Sequence, residues 1–237
     1  MADKKLEKAL YGPSTTEVAL GAVLGLAAGL LAACVYLVFK PVLQVKEMPK
    51  EKDVVRGAVY FIPGSENTAK GKGYVAKQKA LVGGTAVELT EDELNAWSTA
   101  TFGAQPKSPA PATPAKGAAA DAANPGYEGI FNPGTPNFKI DHGNLQIGIK
   151  CVLNWYGLTH EVTVLAIGSF AHEGDDVVFV PQQIFLGSCP LHLIPKLAPP
   201  LMAHLVSKKK VPDEIKSAWA KVNTATIEGS TLKLTME

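Results

Sequence analysis

Apolar and polar positions fall into three unlike patterns along the chain. Residues 18–39 carry no charged side chain and almost no polar one, so a helix there is apolar on every face. The run is about 22 residues, close to the roughly 20 that an α-helix needs to cross a hydrocarbon core. Glu17 bounds it on one side and Lys40-Pro41 on the other, with Tyr36 near the second end, where an amphipathic ring suits the membrane interface. The pattern predicts a single transmembrane helix over 18–39, preceded by a tail over 1–17 and followed by a charged juxtamembrane segment over 40–53. A secretory signal is the competing assignment. Leu31-Ala32-Ala33-Cys34 fits the pattern at which bacterial lipoproteins are cut and acylated, which makes Cys34 a candidate lipidation site. Against cleavage, the apolar run continues past the cysteine to Phe39, and the leading segment carries Asp3, Glu7 and Glu17 instead of a short basic region.

The second pattern is mixed α and β over 54–237. Val59-Tyr60-Phe61-Ile62 is a short strand closed by Pro63-Gly64. Gly71-Lys72-Gly73 lacks the spacing of a phosphate loop, and Lys70, Lys72, Lys77 and Lys79 read as a solvated face. Leu89-Thr90-Glu91-Asp92-Glu93-Leu94-Asn95 opens a helix. Thr90 can accept from the backbone of Glu93 while Glu93 reaches back, and acidic residues in a first turn suit the positive end of the helix dipole. Capping is expected to account for the whole acidic cluster, with Leu94 and Trp97 facing a core.

Period-2 alternation marks strands beyond residue 144. Leu145, Ile147, Ile149, Cys151 and Leu153 share one face of the first, and Tyr156-Gly157 is a turn. Val162 to Phe170, apolar on both sides, and Val177 to Phe185 follow, separated by a turn at 172–176. Tight turns between consecutive strands predict an antiparallel meander. Pro190, Pro195, Pro199 and Pro200 break the next apolar stretch into short turns. Pro200 can open a helix to Ser207 that ends on Lys208, Lys209 and Lys210, cations well placed at a helix C-terminus or against anionic lipid headgroups. Pro212 opens another helix, with Ile215, Ala218, Trp219 and Val222 on one face, and a last hairpin turns at Gly229-Ser230.

The third pattern has no apolar period. Ala, Pro and Gly dominate from residue 104, a composition that buries too little surface to offset chain entropy. The piece before it is too short to fold alone with ease, so 104–136 is expected to be a disordered insertion within one domain. It also changes the meaning of the 46% hydrophobic content, because its alanines count as hydrophobic and build no core.

Charge and motif content narrow the function class. With 23 basic against 22 acidic residues, the net charge of +1 gives no electrostatic basis for a nucleic-acid partner. Three cysteines are too few for a disulfide scaffold. Cys151 and Cys189 either pair in an oxidising compartment or fill the core. His142, His160, His172, His192 and His204 have no zinc spacing, and there is no nucleophile elbow. No catalytic residue, metal site or cofactor is expected. Within the apolar run, Gly21, Gly25, Gly29 and Ala33 recur every four residues, a small-residue face on which a second copy or another membrane helix can pack.

The post-anchor segments resemble the small bacterial membrane-anchored proteins of the YpmS-like, tubular lipid-binding-like (TULIP-like) group. The resemblance is carried by Leu89 to Asn95, by the meander over Asn144 to Leu186, by Leu186-Gly187-Ser188-Cys189-Pro190-Leu191 and by Ile227-Glu228-Gly229-Ser230-Thr231-Leu232. It implies an α+β fold in which a curved antiparallel sheet packs on helices and encloses an apolar groove able to hold membrane lipid. It also implies a domain outside the cytoplasmic (inner) membrane, whereas flank lysines read literally lean toward a cytoplasmic one. Two functions are expected from different classes. One is a non-enzymatic cell-envelope protein that binds or handles lipid. The other is a structural or scaffold subunit of a membrane complex, associating through its small-residue face.

Overall fold

The computed structural model describes residues 12–103, 131–155, 158–194, 200 and 211–236. Helix α1, Thr15–Phe39, contains the apolar run and is long and apolar enough to cross a membrane, a test that a signal sequence also passes. It starts before that run because Ser14 and Glu17 form a capping box, with the Ser14 hydroxyl accepting from Glu17 N–H and the Glu17 carboxylate accepting from Ser14 N–H. Its leucines and valines are exposed from Val18 to Leu31, while Cys34, Leu37 and Val38 are half-buried.

The segment after α1 is not a plain linker. Strand β1, Leu43–Gln44, runs parallel to β2, Tyr60–Phe61, and a 3-10 turn at Glu51–Asp53 lies between them. Val42 is buried beside Phe61 and Leu165. The folded domain therefore begins before residue 54, because an apolar side chain immediately after the helix is already in its core.

Helices α2, Thr68–Gly71, and α3, Tyr74–Val82, precede strand β3, Val87–Thr90, and helix α4, Glu91–Phe102. Strands β4, Phe131–Asp141, β5, Asn144–Trp155, β6, Leu158–Glu173, β7, Asp176–Leu186, and β8, Cys189–Pro190, form a five-stranded antiparallel sheet in sequence order. After a 3-10 turn at Leu191–Leu193, helix α5, Asp213–Trp219, leads into β9, Val222–Glu228, and β10, Thr231–Met236. Strand β10 lies between β9 and β3 in an antiparallel three-stranded sheet.

The chain is thus mixed helix and antiparallel sheet with one apolar N-terminal helix. The meander holds two more strands than the period-2 reading gave. Strand β4 takes residues 131–136, which corrects the expectation of a disordered insertion for that part, while 104–130 lie outside the described residues. Proline hid this strand from the pattern. Pro133 and Pro136 are tolerated because β4 is at the sheet edge and its register shifts between them. Val222 is a second correction, since it opens β9 instead of extending the helix face. The Tyr156-Gly157 turn, the helix over 200–207 and Lys208, Lys209 and Lys210 lie outside the described residues, apart from exposed Pro200.

The largest buried cluster joins the two sheets and the helices: Leu81, Leu94, Leu145, Val177, Val222 and Leu234 belong to it, with Phe170 and Trp219 packed against its edge. A smaller cluster of Ile184, Cys189 and Leu191 meets Cys34, Leu37 and Val38 of α1. Aromatic contacts mark the two ends of the long strand β6. His160 near the start of β6 stacks against Phe39 with ring centroids 5.0 Å apart, and Phe170 lies 5.8 Å from Trp219. At ~3.3 Å per residue, the path between those two positions covers up to about 33 Å.

Candidate functional site

At the distal end an apolar crevice opens between α3, α4, α5 and the three-stranded sheet. Its volume is about 110 Å³, and its walls include Tyr74, Leu81, Trp97, Trp219, Leu232 and Leu234. An apolar cavity of about 150 Å³ takes a benzene-sized molecule. The crevice is smaller than that, with room for the end of an alkyl chain. Its position departs from the expectation of a groove in the long sheet.

The charged groups lining the crevice are Lys77 and Glu93, paired at 2.6 Å. The capping box at Thr90 is present as the sequence predicts. Oε2 of Glu93 also accepts from Thr90 N–H at 2.8 Å and from the Thr90 hydroxyl at 3.0 Å. Burial pushes the Glu93 carboxyl up, but the hydrogen bonds from Lys77 and Thr90 outweigh it and hold the group below its ordinary value. Lys77 is thus part of a buried-edge ion pair and not simply a solvated lysine.

Capping explains Glu93 but not its neighbours, which corrects the expectation for the acidic cluster. Glu91 accepts from Ser65 N–H at 2.6 Å and from Ile140 N–H at 3.0 Å, and pairs with Lys139 at 3.2 Å. Asp92 accepts from the Ser65 hydroxyl and from Asn67 N–H, and these bonds lower its pKa against a smaller opposing effect of burial. One turn on, buried Asn95 donates to the Ser65 and Phe138 carbonyls at 2.9 and 2.8 Å and accepts from Phe138 N–H at 2.7 Å. Ser98 donates to the Pro136 carbonyl at 2.6 Å. Helix α4 therefore stitches the loop over 64–67 to edge strand β4 by satisfying backbone groups that no neighbouring strand reaches. The carboxylates are occupied as structural acceptors. Among the described residues, no three His, Cys, Asp or Glu side chains gather to hold a metal ion.

The β8 edge of the sheet is joined to α1 by backbone contacts. The last four carbonyls of a helix have no intrahelical donor. Ser188 N–H supplies one, donating to the carbonyls of Leu37 and Lys40, each at 2.9 Å, while its hydroxyl donates to Pro41 O at 3.3 Å. This approach requires Gly187. Its φ is +57°, in the left-handed region, and a Cβ there would lie 2.1 Å from the Val38 carbonyl oxygen. Nζ of Lys40 donates to the Gly57 and Arg56 carbonyls at 2.9 and 3.3 Å. Nothing in the sequence marks this junction, because a glycine next to serine carries no signal of which backbone it will meet.

The remaining candidates separate. No atom within 4 Å meets a Cβ built at Gly21, Gly25 or Gly29, and Ala33 is exposed, so the small-residue face is open. Cys34 does not stand clear of the fold: it packs against the cluster that contains Cys189. Cys151 belongs to a different cluster, with Val164. Compared with known proteins, the chain matches no protein-family model, no curated protein and no solved structure.

Proposed function

We propose that the chain is a single-pass, non-enzymatic membrane protein of the cell envelope that acts as a rigid mount, a structural subunit whose domain is held against the extracytoplasmic face of the inner membrane. The observation that carries this reading is the junction at Gly187 and Ser188. The domain uses the carbonyls of Leu37 and Lys40 and the side chains of Cys34, Leu37 and Val38. A signal segment that is removed contributes nothing to the mature fold, whereas the end of α1 completes a buried cluster here. The apolar run 18–39 is about 33 Å long at ~1.5 Å per residue, and its last turns are the ones bound by the domain. The domain then sits at the interface instead of hanging from a flexible stalk. Leu158 and Leu193, which are 74% and 71% exposed, belong to that end and suit the headgroup boundary.

Assembly proceeds through the open face of Gly21, Gly25, Gly29 and Ala33, where close backbone approach gives packing in lipid. The test is the mass of the detergent-solubilised or nanodisc-embedded chain with Gly25→Leu. The proposal expects an oligomer or complex that falls to the monomer in the variant. A wild-type chain that is already monomeric in native membranes contradicts it.

A second reading rests on the crevice. Its apolar walls, with Tyr74, Trp97 and Trp219 among them, favour binding of an apolar, lipid-derived group, in keeping with a curved sheet packed on helices as the resemblance implies. Because the crevice is at the end of the long sheet away from α1, a bound chain would have left the bilayer. Native mass spectrometry of the purified full chain tests this: a retained lipid, lost in Leu89→Trp, supports it, and a ligand-free chain contradicts it.

A further inference from the structure

We propose that Cys34 and Cys189 form a disulfide that staples the membrane helix to the domain. Cys34, Leu37 and Val38 are spaced i, i+3 and i+4 and so share one face of α1. That face is the one the domain grips. Val38 and Leu37 lie against Gly187, Leu37 accepts from Ser188, and Cys189 follows directly in β8. One turn up the same face, Cys34 meets the cluster of Ile184, Cys189 and Leu191. Residues of α1 and of β8 lie within 8 Å of one another between Cα atoms, so the two elements that carry the cysteines run side by side, as a disulfide with Cα atoms roughly 7 Å apart or less requires. The Cys34 thiol is near enough to act on Cys189, whose pKa is raised first by burial and then by that neighbour. Sequence alone leaves Cys151 as the candidate partner of Cys189. The structure places Cys34 beside it instead.

The chemistry balances with an oxidised dithiol oxidoreductase, or another disulfide oxidant, on the side of the membrane that holds the domain. A thiolate of one cysteine attacks the oxidant's disulfide, and the second cysteine then displaces the reduced oxidant from the mixed disulfide. One S–S bond forms in the chain and one breaks in the oxidant. Two protons and two electrons pass from the two thiols to the oxidant, which leaves as a dithiol. The pair also bears on Cys34 as a lipidation site, since a sulfur held in a disulfide carries no lipid and a chain cleaved there has lost residues 1–33.

The test uses the full chain in the membranes of the cells that make it. Thiols are trapped with N-ethylmaleimide under denaturing conditions, and the Cys34 and Cys189 peptides are mapped with and without reduction. The expected result is a linked 34–189 peptide pair, with both cysteines alkylated only after reduction. In addition, the melting temperature of the wild type should fall on reduction and that of Cys34→Ala should not. Alkylation of both cysteines without reduction overturns the proposal, as does a mature chain that begins at an acylated Cys34. Neither readout depends on the oligomeric mass, so the staple and the mounting role fail separately.

Discussion

The two edges of the long sheet are held by different devices. At the β8 edge, backbone meets backbone: one glycine at positive φ removes a Cβ, and the next residue's N–H reaches orphaned helix carbonyls. At the β4 edge, side chains meet backbone: Glu91, Asp92, Asn95 and Ser98 of α4 each reach across to a strand or loop. A close backbone junction tolerates no added atom at its one critical position. A polar stitch spreads its specificity over several side chains and loses it in steps. The first device suits a joint that must not move, and the second leaves room for a small apolar crevice beside it.

The largest effect should come from breaking the backbone junction. Gly187→Val places a β-branched side chain at positive φ against the Val38 carbonyl, and the strain and overlap should cost roughly 3 kcal/mol or more. Limited proteolysis should then cut between α1 and the domain, at sites near Lys40 that are protected in the wild type. Asn95→Leu should come next. It removes three hydrogen bonds and leaves the Phe138 N–H and C=O without that partner, at about 2–4 kcal/mol in urea denaturation, while the α1 junction keeps its protection. Thr90→Ala, which deletes the cap of α4, should cost about 1 kcal/mol by the same measurement.

The smallest effect is one of pH. Asp92 and Glu93 both titrate below their ordinary values, of which Glu's is 4.5. A carboxylate with a depressed folded pKa binds fewer protons in the native state. Its stabilisation is fully present above the unfolded value and is lost as pH falls through the folded one. The unfolding midpoint should therefore be flat above the ordinary carboxylate range and decline below it. Glu93→Gln should flatten part of that decline, and a midpoint that rises on acidification would contradict the assignment.

What the sequence made legible follows the range of each interaction. The apolar run of α1 and the capping box of α4 are local patterns, and both appear where periodicity and spacing put them. The alternation of Leu145 to Leu153 likewise became β5. Strand β4 was hidden because its prolines break the signal that its edge position permits. The roles of Glu91 and Asp92 were hidden because their partners, Ile140 and Ser65, are distant in sequence and are backbone or hydroxyl groups common to many residues. The crevice is a property of how α3, α4 and α5 pack on β3 and β10, and no single segment encodes it.

The central claim is that α1 and the domain form one rigid body. Spin labels carried on unnatural amino acids at Leu26, exposed on α1, and at Asp175, in the turn between β6 and β7, leave all three cysteines in place. Their distance distribution, measured by pulsed dipolar spectroscopy on the full chain in nanodiscs, should be a single narrow peak that Gly187→Val broadens. A broad distribution in the wild type would mean a domain that swings on a tether, and would contradict the account.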